Sequence, residues 1–112
     1  MRGLTPLLFA VALGGCHRDT GFDAAKALIG ERCGVCHVVP GIAEAKGMIG
    51  PSLAGIARQE IIAGHFPNTP EDMTNWILHP QALLPGNAMT DTGLTPAQAH
   101  QIVRYLYTLD KR

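Results

Sequence analysis

The chain is short of the residues that usually build a small core. Among 112 residues there are one Trp, two Tyr and three Phe, so few bulky side chains exist to exclude water at its centre. It also lacks an excess of either charge: Lys and Arg number 9, Asp and Glu 9, and the formal net charge is zero. A sequence-independent grip on nucleic acid or anionic lipid needs a basic surplus, so neither is expected as a general mode of binding. No stretch of six residues alternates apolar with polar and is rich in β-branched residues, so no strand is predicted. No period repeats and no tract is of low complexity. What is present is a chain 46% apolar and only 16% charged, with 13 Gly and 8 Pro. That excludes a disordered tail and implies many turns. One domain fits in this length, and with so thin a core it is expected to be stabilised from within by a metal, a disulfide or a cofactor.

Residues 1–15 have the pattern of an export signal. Arg2 supplies the charged start, and Leu4–Leu13 is an apolar run too short to span a bilayer as a helix. It ends in Leu13-Gly14-Gly15-Cys16, which resembles the bacterial lipobox, where the Cys thiol takes a diacylglycerol thioether and becomes the acylated N-terminus. The rival is an ordinary secretory signal with a chance cysteine. Residues 16–21 then form a short lipid-anchored tether, and residues 22–112 form the folded domain. The expected location is the periplasmic side of a bacterial membrane, anchored at Cys16, or the soluble periplasm if Cys16 is not lipidated. His17 after that cysteine, where Asp would favour retention, leans toward the outer membrane.

Three segments read as helices. Phe22, Ala25, Leu28 and Ile29 share one face running into Arg32-Cys33. Thr69-Pro70-Glu71-Asp72 is a capping-box start with Pro at the first helical position; Met73, Trp76 and Ile77 form the stripe, and Pro80 ends it. Thr95-Pro96-Ala97-Gln98 begins the third, whose inner face is Ala99, Ile102, Val103, Leu106 and Leu109. A short helical turn is expected near Leu53–Arg58. The stretches 40–50 and 81–93 read as loops, and a loop as long as the second is usually functional.

The chemistry lies in Cys33-Gly34-Val35-Cys36-His37, a C-x-x-C-H run of the kind that attaches haem c. Two thiols so spaced can add across the two vinyl groups on one porphyrin edge, and the next imidazole can then bind the iron. Zinc is a rival, but it needs four ligands, and there is no second C-x-x-C or H-x-x-x-H; His65, His79 and His100 are scattered. A thioredoxin-type dithiol needs a preceding strand, and a Cys33–Cys36 disulfide would close a loop too small to stabilise much. For the second iron ligand the candidates are Met48, Met73, Met89 and the remaining histidines. Met73 has the spacing of a core residue, Met48 follows the motif closely, and Met89 lies in Pro85-Gly86-Asn87-Ala88-Met89, where it can close a crevice from the opposite side.

From about Phe22 to Leu109 the residues resemble class I cytochrome c. The elements come in that family's order: C-x-x-C-H, Gly50-Pro51-Ser52-Leu53, Trp76-Ile77-x-x-Pro80, Pro85-Gly86-x-x-Met89, Gly93-Leu94-Thr95 and Val103-Arg104-Tyr105-Leu106. The resemblance implies an all-α fold of three main helices around one covalent haem c, held by Cys33 and Cys36. It implies His37 and Met89 as axial ligands and a Pro51 carbonyl accepting from His37 Nδ1. It places Trp76 in the haem pocket and makes Arg58 and Asn87 donors to the haem propionates. Ala25 stands where the family usually has Gly at the crossing of the first and last helices. The 58–76 stretch is shorter than in mitochondrial-type members. Only Lys26, Lys46 and Lys111 remain of any lysine ring.

The expected function is that of a one-electron carrier, not an enzyme. It would cycle Fe(II)/Fe(III) between a quinol:cytochrome c oxidoreductase or a dehydrogenase and an acceptor such as a terminal oxidase. The alternative is a haem c subunit fixed in a larger membrane oxidoreductase. The expected partners are therefore redox proteins and, through Cys16, a membrane, with the chain a monomer or one subunit of a complex.

Overall fold

The computed structural model of the chain describes residues 3, 5–10 and 21–111. Residues 5–10 have no regular structure, and Leu7, Leu8 and Phe9 are exposed. Cys16 and its neighbours to Thr20 lie outside the described residues. Among the described residues no helix is long and apolar enough to cross a membrane.

Four helices carry the fold: α1 (Asp23–Arg32), α2 (Pro70–Leu78), α3 (Pro80–Leu83) and α4 (Pro96–Leu106). α1 starts with Asp23 and ends with Arg32, charges that suit the helix dipole at both ends. It turns Ala25 and Ile29 inward onto α4, which also packs against α2. Ala25 is only 2% exposed, so a small residue is what this crossing accommodates. Phe22 meets the Tyr105 ring edge-on at 5.5 Å between centroids, and the Tyr105 hydroxyl donates to the Pro40 carbonyl at 2.6 Å. That bond ties α4 to the loop following the C-x-x-C-H run.

α4 begins with a complete capping box. The Thr95 hydroxyl accepts from the Gln98 N–H, and the Gln98 side chain accepts from the Thr95 N–H. All five residues of its expected inner face are buried. At α2 the Thr69 hydroxyl accepts from the Asp72 N–H at 3.0 Å, but the Asp72 carboxylate takes the Thr69 hydroxyl proton instead of returning to the Thr69 N–H. That N–H donates to the Pro67 carbonyl. Met73 and Ile77 are buried as expected, and Trp76 is half-buried.

Two elements depart from the expected plan. Ile61–Ile62 (β1) and Phe66–Pro67 (β2) pair antiparallel, Ile62 opposite Phe66. Ala63 and Gly64 both have positive φ, 52° and 70°, and the His65 N–H reaches the Ile62 carbonyl at 3.1 Å. This is the left-handed turn that suits the twist of a tight hairpin. Asn68 locks its base, donating through Nδ2 to the Ile56 and Gln59 carbonyls and accepting from the Tyr107 hydroxyl. The second departure is α3. Pro80 does stop α2, but it then takes the first position of a new single turn, where its missing N–H costs nothing. The expected Leu53–Arg58 turn is a 3₁₀ turn over Ile56–Arg58.

Candidate cofactor site

Cys33 directly follows α1 and continues its hydrogen bonding: the Cys33 and Gly34 N–H groups both reach the Ile29 carbonyl, at 2.9 and 2.8 Å. The Cys36 and His37 N–H groups then both turn back to the Cys33 carbonyl. The motif is thus one tight turn that presents two thiols and an imidazole. Gly34 is buried, and a side chain there would collide with the Gly30 carbonyl and the Ala45 backbone. Its smallness is required by the protein's own packing, while Val35 points outward, 70% exposed.

The chain then wraps back over the turn. The Gly47 N–H donates to the Gly34 carbonyl at 2.9 Å, and the Gly50 N–H to the Cys36 carbonyl at 2.7 Å. Glycine is needed at both points. A side chain at Gly47 would strike the Val35–Cys36 peptide, and one at Gly50 would strike the His37 ring. The wrap brings the Pro51 carbonyl to 2.6 Å from His37 Nδ1. A carbonyl can only accept, so the proton sits on Nδ1 and Nε2 carries the free lone pair that a metal needs. A carbonyl at that nitrogen also fixes the ring orientation.

Cys33 and Cys36 are free, half-buried thiols. Burial, and then the neighbouring Cys36, push the Cys33 thiol up to about 11. A redox dithiol works as a thiolate near neutral pH, so Cys33 is set against that chemistry. Among the described residues no group of three or more His, Cys, Asp or Glu side chains is placed to hold a metal ion, which leaves the zinc reading without a site there.

The three methionine candidates sit in different settings. Met73 is 3% exposed in the core, Met48 is 86% exposed, and Met89 is half-buried. Met89 belongs to a loop fixed on many sides. Its N–H donates to Asn87 Oδ1 at 2.6 Å, and its carbonyl accepts from Gln81 Nε2 at 2.7 Å. Asn87 Nδ2 donates to the Pro80 and Leu84 carbonyls. Further on, the Thr92 hydroxyl donates to the Ile77 carbonyl, and the Thr92 carbonyl accepts from Arg32 at 3.0 Å. This last bond joins the end of α1 to the Met89 loop.

The remaining expected site residues are more loosely connected. Trp76 stacks in a tilted pair with Phe66, 5.8 Å between centroids. Arg58 is exposed and directs one N–H at the Asp110 carbonyl, 3.4 Å away. Asn87 spends both Nδ2 hydrogens inside its own loop. His65, His79 and His100 are exposed. Gln81, Phe66 and Arg32 were not expected at the site. Only Gln81 had a sequence hint, as a polar residue directly after Pro80.

Two thiols three positions apart, followed by an imidazole whose outer nitrogen is held by a carbonyl, suit a flat macrocycle attached by its edge and ligated at its centre. The class so defined is the small helical domain that attaches haem. Comparison with known proteins makes the family definite: the cytochrome c family model matches residues 22–110, and the chain belongs to that family. It therefore carries covalently bound haem c and works in haem-based electron transfer. The chain is 31% identical over 88 residues to cytochrome c oxidase subunit 2 of Bacillus sp. (strain PS3), across 75% of this chain and 25% of that protein. It is 39% identical over 57 residues to the subunit of the same name from Alkalihalophilus pseudofirmus, across 51% of this chain and 16% of that protein. The chain thus spans a quarter or less of the length of these curated relatives.

Proposed function

We propose that the chain is a one-electron carrier on the periplasmic side of a bacterial membrane, with Cys33 and Cys36 holding the haem and His37 and Met89 as its axial ligands. When bound, haem c supplies a single Fe(II)/Fe(III) couple. The observation that carries the reading is the 2.6 Å contact from His37 Nδ1 to the Pro51 carbonyl, directly after a free thiol pair. It commits Nε2 to ligation and holds the ring against rotation on Gly50. Met89 is the methionine best suited to the other side, being neither sunk in the core nor fully out in solvent. If His37 and Met89, both on fixed segments, hold the iron, no open position would be left for a substrate, which favours transfer over catalysis. Val35, Met48 and Ile49, exposed by 70, 86 and 70%, flank the thiol turn where an electron would cross.

The test is the mass and visible spectrum of the purified full chain. The expected result is a mass raised by one haem and a reduced-minus-oxidised spectrum of c type, both lost in a Cys33→Ala, Cys36→Ala double variant. A chain of unmodified mass and no Soret band would contradict the reading. Arg58, with one long bond to Asp110 among the described residues, keeps N–H groups to offer a propionate, whereas Asn87 is engaged by the Pro80 and Leu84 carbonyls.

Two relatives named as cytochrome c oxidase subunits favour a terminal oxidase as electron acceptor. The donor is assigned by chemistry as a quinol:cytochrome c oxidoreductase or a dehydrogenase. The same relatives favour a second reading, a haem subunit fixed in a larger oxidoreductase. Purification in mild detergent separates the two: a free carrier elutes alone, and a fixed subunit elutes with oxidase activity. Export and lipidation at Cys16 complete the proposal. Cys16→Ser is expected to abolish a diacylglycerol-modified N-terminus; an unmodified N-terminus at another residue in the wild type would contradict it.

A further inference from the structure

A thioether is a weak, neutral ligand, and a loop that carries one must be ordered in advance if the sulfur is to stay on iron. Each residue fixed in a loop costs about 1–2 kcal/mol of backbone entropy, so something must order residues 84–92. Pro85 and the Thr95 cap stiffen the ends of this segment, but neither reaches Met89. From outside the segment the side chain that does is Gln81, on the single turn of α3. Its Nε2 donates to the Met89 carbonyl at 2.7 Å and to the Asn87 carbonyl at 2.8 Å. Its Oε1 accepts from the Gly86 N–H at 3.1 Å. One half-buried carboxamide therefore satisfies three backbone groups of the loop, at Met89 and before it. Its own backbone N–H points at Asp91 Oδ1, 3.4 Å away.

Gln81 can do this because its base is fixed. Pro80 is among the most deeply buried residues of the chain, and its carbonyl accepts from Asn87 Nδ2 at 2.9 Å. The Asn87 Oδ1 in turn takes the Met89 N–H. Met89 is thus held by its N–H through Asn87 and by its carbonyl through Gln81, and both side chains lead back to Pro80.

We propose that Gln81 is a positioning residue for the axial sulfur, holding Met89 in place without touching the haem. The proposal rests on Met89 being the sixth ligand. Its chemistry is asymmetric, and that makes it testable. Glu at this position keeps the acceptor for Gly86 but removes both donors and sets a carboxylate against two carbonyl oxygens. Met keeps the length and removes every hydrogen bond.

The experiment is titration of the ferric full-length holoprotein with imidazole, alongside its far-red sulfur-to-iron band, for wild type, Gln81→Glu, Gln81→Met and Met89→Ala. The expected result is an imidazole affinity raised about tenfold or more in both Gln81 variants, the scale of two lost hydrogen bonds. The band weakens, the reduction potential falls, and haem attachment and helical circular dichroism are retained. Wild-type imidazole affinity in both Gln81 variants, with Met89→Ala losing the band and binding imidazole tightly, would overturn the role of Gln81 alone. A band that survives Met89→Ala would overturn the ligand reading and the proposal with it. If Gln81→Glu fails to accumulate, Gln81→Met, which introduces no charge, decides between these outcomes.

Discussion

His37 shows how one atom's surroundings set a function. Its ring lies where a Cβ on Gly50 would be, and its Nδ1 meets the Pro51 carbonyl. Gly50→Ala is therefore expected to push the imidazole off this carbonyl and to cost about 1–3 kcal/mol of stability, as overpacking does. Thermal unfolding and the reduction potential would register it together; a variant with unchanged potential would mean that the ring tolerates displacement. The C-x-x-C-H residues were legible in the sequence because their spacing is local and chemically specific, whereas Pro51 entered only through the family resemblance. Gln81 was not legible as a loop clamp. It reaches backbone carbonyls six and eight residues on, and a main-chain acceptor leaves no mark on residue identity. Asn87 is expected, from the resemblance, to donate to a haem propionate; in this structure its Nδ2 hydrogens go to the Pro80 and Leu84 carbonyls.

At the scale of elements, the helices were readable from their caps and stripes. Thr95 and Gln98 form their box, and Thr95→Ala is expected to cost about 1 kcal/mol, within the usual range for losing an N-cap. A melting temperature unchanged by that substitution would show that the Pro at the first helical position suffices. The hairpin leaves no pattern in the sequence because strands of two residues are too short to alternate, and its Ala63 takes a positive φ without being Gly or Asn. Tyr105 makes α4 sensitive to alkali. Burial raises its phenol above the usual 10. The folded state therefore favours the neutral phenol; the associated stability is complete below pH 10 and is lost as pH rises through the higher folded value. Tyr105→Phe is expected to lose about 1 kcal/mol at neutral pH, with the bond to Pro40. It should also flatten the alkaline side of the stability curve, followed by helical circular dichroism. A variant whose stability falls as steeply as the wild type above pH 10 would assign that decline to another group.

The whole molecule is organised around a thin core. Among the described residues the largest fully buried side chains are Ile29, Ile102, Val39 and Pro80, and the half-buried Leu53, Trp76, Phe66 and Leu94 pack against the core. A haem would supply the missing apolar volume, so folding and attachment should be coupled. The Cys33→Ala, Cys36→Ala variant is expected to be largely unfolded and readily proteolysed; helical circular dichroism equal to wild type would contradict this. With zero formal net charge and only three lysines, association with partners should depend weakly on salt, in contrast to recognition by a lysine ring. If His37 and Met89 close the iron between them, as proposed, this small domain carries electrons instead of catalysing. The most direct test is the far-red absorption of the ferric holoprotein in three forms. The sulfur-to-iron band should be present in wild type and in Met48→Ala and absent from Met89→Ala, which should also bind carbon monoxide when reduced. A band that persists in Met89→Ala and disappears in Met48→Ala would place the closing ligand on the earlier loop and contradict the account.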